Sequence, residues 1–135
     1  MLVDTPARAR GDRGAVTTET VIVMPLLLTL VLLLAQTTVW WHAVHIAQTT
    51  ASHALAATRA DDGTPADGRN EAERVLGQLG HGPLRGVRIT VTRTADHADV
   101  RVTGTATSVV PFLHLPVDTH ASGPVERFHP VRAAP

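Results

Sequence analysis

Residues 20–41 read Thr20-Val21-Ile22-Val23-Met24-Pro25-Leu26-Leu27-Leu28-Thr29-Leu30-Val31-Leu32-Leu33-Leu34-Ala35-Gln36-Thr37-Thr38-Val39-Trp40-Trp41. No Asp, Glu, Lys or Arg occurs from Thr20 to Thr58. The stretch from Val21 to Trp41 makes about 31 Å of helix at about 1.5 Å per residue, the thickness of a bilayer's hydrocarbon core. Trp40 and Trp41 stand where an interfacial aromatic belt belongs, as anchors at the membrane surface. This predicts a single-pass membrane protein. A cleaved secretory signal is the competing reading. Its apolar core runs about 7–15 residues before a small-residue cleavage site. Here the run is longer, and the nearest such pattern, Ala54-Leu55-Ala56, lies well beyond the tryptophans.

Charge orients the span. Arg8, Arg10 and Arg13 precede it, whereas the residues just after it carry only Arg59, Asp61 and Asp62. The positive-inside rule then predicts a cytoplasmic N-terminus and an extracytoplasmic C-terminal domain at the cell membrane.

The rest of the composition narrows the function classes. The 135 residues hold twelve basic residues, all arginine, against twelve acidic ones, so there is no basic footprint for nucleic acid. There is no cysteine, hence no disulfide framework and no thiolate metal site. With 3% aromatic residues, the far-side domain must be held by aliphatic packing.

The approach to the span carries further features. Residues 13–28 read Arg13-Gly14-Ala15-Val16-Thr17-Thr18-Glu19-Thr20-Val21-Ile22-Val23-Met24-Pro25-Leu26-Leu27-Leu28. An acid near a helix N-terminus is favoured by the macrodipole, so position alone leaves Glu19 open to two readings, a helix-start residue beside Thr17 or Thr18 as N-cap, or a functional intramembrane acid. Yet a basic leader ending in Gly, followed by a chain whose fifth residue is Glu and whose next twenty are apolar, resembles a prepilin signal. The finer pattern, with Pro25 in register, resembles the TadE-like family of pseudopilin-type pilus-assembly proteins of the tight-adherence (Flp) pilus secretion machinery. The resemblance covers about residues 13–56. It departs in one place, since the residue after the glutamate is often aromatic in that family and here is Thr20.

The resemblance implies cleavage of the Gly14–Ala15 bond by a prepilin peptidase. Glu19 would then pair with the Ala15 ammonium of an adjacent pilin-like subunit and fix axial register. That pairing would offset the cost of an intramembrane acid, about 2.5–3.5 kcal/mol at the bilayer centre and less near its edge. It also implies partners among pilus assembly proteins. Pro25 lacks an N–H and is expected to kink the helix close to the cytoplasmic face.

Beyond Trp41 the helix is expected to continue, because residues 42–59 contain neither Gly nor Pro. Val44, Ala47, Ala51, Leu55 and Ala56 recur at spacings of three and four, a stripe for packing on the chain's own domain or on a partner helix. His42, His45 and His53 share this stretch without Cys, Asp or Glu, so neither a metal site nor a cofactor is expected. The cluster Asp61, Asp62, Gly63, Pro65, Asp67 and Gly68 reads as a break. Asn70 reads as the cap of a short helix, with Glu73 at the capping-box position and Gly80 at its end.

After Gly82-Pro83 the period becomes two. Val87, Ile89 and Val91 alternate with Arg88, Thr90 and Thr92, and Val100, Val102, Gly104 and Ala106 alternate with polar residues. This is a hairpin joined by Thr94–Ala98. A third strand is expected over Val117–Ala121, resuming through Val125–Phe128 after Gly123-Pro124. An isolated hairpin would be marginal, so a three-stranded meander on the projecting helix is the simplest arrangement.

The expected fold is α+β. Residues 1–14 form a cytoplasmic leader, 15–59 the transmembrane and juxtamembrane helix, 60–69 a linker, 70–128 a small extracytoplasmic α+β domain, and 129–135 a disordered tail. Asp96, His97 and Asp99 cluster in the hairpin turn, where Asp is expected for conformational reasons. No nucleophile or pocket accompanies them, so no enzyme is expected. The functional expectation is a pseudopilin-type component of a pilus assembly or secretion apparatus. The alternatives are an unprocessed envelope protein whose outer domain binds a ligand or partner, and a secreted binding module.

Overall fold

The computed structural model describes residues 12–80 and 82–126, with side chains from residue 20 onward. Two helices lie side by side on one face of a three-stranded antiparallel sheet, an α+β arrangement. The elements in chain order are α1 (Asp12–Arg59), α2 (Pro65–Leu79), β1 (Leu84–Arg93), β2 (His97–Ala106) and β3 (Pro116–Pro124). Strand order in the sheet is β1-β2-β3. Helix α1 packs along β2 and β3, and α2 packs between α1 and β1.

Only the second half of α1 takes part in this core. Ala43, Ile46, Ala47, Ala51 and Ala54 are buried, meeting Val100, Val102, Ala106 and Val117 of the sheet. The small side chains let the helix lie close to the strands. Ala47 and Ala51, two members of the expected stripe, are therefore consumed by the chain's own domain, while Ala56 is exposed. Thr50 and Thr58 are buried too, and each hydroxyl donates to the carbonyl one turn back, Ile46 O at 2.8 Å and Ala54 O at 2.7 Å. That bond satisfies a hydroxyl without a partner from outside the helix.

The second helix begins earlier than Asn70. Its N-cap is Thr64, with Pro65 at the first helical position and Asp67 completing a capping box. The Asp67 carboxylate accepts from Thr64 N at 2.8 Å and from its hydroxyl at 2.6 Å. The turn-forming residues 64–68 thus start the helix instead of separating it from α1, and Asn70 is an exposed residue of its second turn. Gly68 belongs to the packing. A Cβ at this position would stand 2.0 Å from Thr58 Oγ1 and 3.0 Å from Ala54 O of α1.

Alternation in β1 and β2 holds with one interruption. Leu84 and Val91 both face the core although they differ in parity. A bulge between Arg85 and Arg88 changes the phase, and Gly86, at φ +61°, supplies the left-handed residue it needs. The hairpin loop is shorter than expected, because β2 starts at His97. The third strand is longer, running unbroken to Pro124, and residues 127 and 128 of the expected resumption lie outside the described residues. Gly123 is tolerated within it because the Arg59 side chain fills the space, 3.2 Å from where a Cβ would be. Proline ends this strand without loss because β3 is an edge.

Two arginines close the end of α1 farthest from the apolar run. Arg93, from the end of β1, donates to the carbonyls of Thr58 at 2.7 Å, Ala60 at 3.1 Å and Asp61 at 3.3 Å, and also to Gly63 O. Thr58 lies in the last turn of α1 and the other three residues in the turn that follows it, so one guanidinium ties the helix end to its exit turn and complements the dipole. Arg59 donates to Pro124 O at 2.7 Å, tying β3 to the same corner.

Three surface carboxylates are held below their ordinary range by partners. Thr64 lowers Asp67, Arg74 lowers Glu71, and Arg101 lowers Asp118. A depressed folded-state pKa contributes stability above the ordinary values of 3.8 for Asp and 4.5 for Glu. That contribution disappears as pH falls through the lowered values. Melting temperature in detergent micelles should therefore fall as pH drops below the ordinary carboxylate range. Asp67→Asn should flatten part of that slope.

Candidate functional site

From Val21 to Leu34, α1 is the part of the described chain with the least covering. Large apolar side chains from Val21 to Leu34 stand open in an almost continuous run, including Val21, Ile22 and Leu26 at 67%, Met24 at 63% and Leu34 at 62%. Residues 20–59 form a helix whose most apolar window reaches a mean hydropathy of 2.2, long and apolar enough to cross a membrane. A bare apolar surface of this size does not persist in water, which makes lipid or protein its natural surroundings.

Three hydroxyls along the exposed run suit such surroundings. Thr29 Oγ1 donates to Pro25 O at 2.8 Å, Thr37 Oγ1 to Leu33 O at 2.8 Å and Thr38 Oγ1 to Leu34 O at 3.0 Å. Each hydroxyl is satisfied inside the helix, as a lipid-facing hydroxyl must be. The helix continues through Pro25. Its ring removes the N–H that would otherwise bond Val21 O.

Trp40 and Trp41 are placed differently from one another. Trp40 is half-buried against the core and donates from its indole N–H to Pro116 O at 3.2 Å. Trp41 is 61% exposed and meets the ring of His45 edge-on at 5.5 Å. The other two histidines of that stretch do not join His45. His53 faces Glu71 of α2 at 3.7 Å, and His42 is exposed. Among the described residues no three His, Asp or Glu side chains are grouped to hold a metal ion.

The residues expected to govern processing lie at the start of α1. The backbone of Gly14 and Ala15 belongs to the helix, which begins at Asp12. Their surroundings, and the side chain of Glu19, lie outside the described residues. The open apolar face runs from Val21.

Residues 14–55 match the family model of TadE-like proteins. The matched TadE-like segment thus starts at the expected cleavage glycine, takes in the whole exposed run, and ends within the helix that packs on the sheet. Neither the curated proteins nor the solved structures include a match to the chain. The similarity therefore lies in the helix, and the α+β domain is described by its own geometry.

Two residues important to this arrangement were not singled out from the sequence. Gln36, 1% exposed, binds the backbone of the β2–β3 connection. Its signal was present, since it is the one carboxamide between Val21 and Trp41. Arg93 gave no such signal, because an arginine ending a strand looks like any solvated charge.

Proposed function

We propose that this chain is a pseudopilin-type structural component of a tight-adherence (Flp) pilus assembly or secretion apparatus. It works by packing its helix against partners, not by catalysis. The observation that carries this reading is the coincidence of the TadE-like match with an apolar helix face open along its length. The domain's core uses the helix only from Gln36 onward. The exposed apolar side chains from Val21 to Leu34 are open to lipid in the membrane and to neighbouring helices in an assembly.

In this reading the N-terminus is cytoplasmic and the α+β domain extracytoplasmic, following the arginines before the span. Prepilin peptidase cuts between Gly14 and Ala15. Glu19 pairs with the new ammonium of an adjacent pilin-like subunit, and Pro25 gives the helix a bend near the cytoplasmic face. Trp41 faces the bilayer interface.

The test is genetic and morphological. Deleting the gene in its host should abolish tight-adherence pili seen by electron microscopy. The native gene should restore them, whereas Glu19→Val should not, although it accumulates in the membrane. Wild-type pili in the deletion strain would overturn the proposal.

A second reading is an unprocessed envelope protein whose outer domain binds a ligand. It draws on an open groove of about 620 Å³ between α2 and β1, lined by Glu73, Leu76, Leu84, Arg85, Val87 and Ile89. Retention of the leader together with normal pili in the deletion strain would favour it.

A further inference from the structure

The connection between β2 and β3 is Thr107-Ser108-Val109-Val110-Pro111-Phe112-Leu113-His114-Leu115. It contains no Asp, Glu, Lys or Arg, and Phe112 at its tip is 94% exposed. Val109 is 39% exposed beside it. Phe112 holds φ +68°, a left-handed conformation that costs a bulky residue energy and turns the chain sharply there. A solvated loop tip would ordinarily carry glycine or a polar residue in its place.

The loop is fixed to α1 at a telling level. Gln36 Oε1 accepts from Val109 N at 2.6 Å and from Val110 N at 3.1 Å, and Gln36 Nε2 donates to Thr107 O at 3.3 Å. Gln36 precedes Trp41 by five positions, which puts it about 7.5 Å nearer the apolar run along the helix. The docking point therefore lies on the bilayer side of the tryptophans. We infer that this loop enters the membrane interface beside α1, with Phe112 and Val109 among the lipids of the leaflet nearest the domain. The inference rests on the reading of α1 as a membrane span.

The internal bonding of the loop fits a lipid environment. At the interface, each backbone polar group satisfied within the protein lowers the cost of leaving water. Besides the two N–H groups taken by Gln36, Leu113 N donates to Val110 O at 3.2 Å, and Pro111 has no N–H to satisfy. The Ser108 hydroxyl reaches Val110 O at 2.6 Å and Leu113 O at 2.8 Å. At the root of the loop Arg85 is exposed and donates to Thr107 Oγ1 at 3.2 Å, a cation at the level of lipid phosphates. Among the described residues, the one other large apolar side chain exposed outside α1 is Leu79. It ends α2 just before Gly82 and Pro83, whose carbonyls accept from Thr107. A lipid surface explains all of these features together.

Because the chain has no cysteine, single cysteines report position directly. Leu28→Cys, Asp62→Cys and Phe112→Cys versions of the full chain are labelled with bimane and reconstituted in phosphatidylcholine vesicles. Some vesicles carry bromine high on the acyl chains. Emission should be lost in brominated vesicles for positions 28 and 112 and retained for position 62. Quenching at 28 without quenching at 112 overturns the loop's insertion and leaves the span intact. Shielding of 112 from aqueous iodide without quenching by brominated lipid also overturns it, since a protein neighbour would then cover the tip. Absence of quenching at both positions removes the span and the inference with it. In a second set, Val109→Cys should be quenched, and adding Phe112→Asp should abolish that quenching. The exposed Phe112 side chain makes this change without disturbing the core.

Discussion

Replacing Gly68 with alanine should destabilise the protein by about 2 kcal/mol, although alanine is the better helix former. The helical preference for Ala over Gly is worth about 1 kcal/mol. Against it stands a Cβ 2.0 Å from Thr58 Oγ1 and 3.0 Å from Ala54 O. Thr58 cannot turn aside freely, because its hydroxyl is buried and bonded to Ala54 O at 2.7 Å. The two helices must separate, and overpacking of this kind costs about 3 kcal/mol at the upper end of its usual range. Thr58→Ala removes the nearer obstacle. The double variant should therefore lose less than the sum of the two single changes, a positive coupling readable from thermal melts in micelles. Additive losses would show that α1 and α2 do not meet here.

Arg93→Ala should cost about 2 kcal/mol through loss of charge-assisted hydrogen bonds. Its guanidinium serves the carbonyls of Thr58, Ala60, Asp61 and Gly63 at the end of α1. Water can replace only some of those bonds, because two of the contacts are partly buried. Arg93→Lys should recover a minor part, since an ammonium cannot present a planar fork of donors to several acceptors at once. The loss should appear as faster amide hydrogen exchange in residues 54–59, where the helix end frays, before it appears near Gln36. Uniform acceleration along α1 would contradict this role.

These two contacts show where sequence reasoning reached its limit. The long helix was legible because charge is excluded from Thr20 to Thr58 and no breaker follows Pro25 before residue 60. The hairpin was legible from Val87, Ile89, Val91, Val100 and Val102, whose alternation survives in the structure. What failed was the reading of residues 61–68. Thr64, Pro65 and Asp67 are ordinary helix-start residues, but their density of Asp and Gly resembles a turn. Gly68 is glycine because of α1, and no local pattern reports a neighbour ten residues away in sequence and in contact in space. The long third strand was similarly hidden by Gly123, whose missing side chain is replaced by Arg59.

The functional segment divides in the same way. The apolar face was readable because consecutive residues share one composition, whereas nothing in the sequence separated Trp40, which docks on the domain, from the exposed Trp41. Gln36 was visible but had no meaning until its partners were known, since they lie more than seventy positions away. The cleavage and register roles proposed for Gly14, Ala15 and Glu19 rest on resemblance to a processed helix. Their proof is chemical.

Mass spectrometry of the mature protein purified from its host tests the account most directly. Processing at Gly14–Ala15 predicts a chain beginning at Ala15, with Gly14→Ala blocking that cut and leaving the leader attached. A mature chain that keeps its leader, or one that begins beyond residue 42, would contradict it.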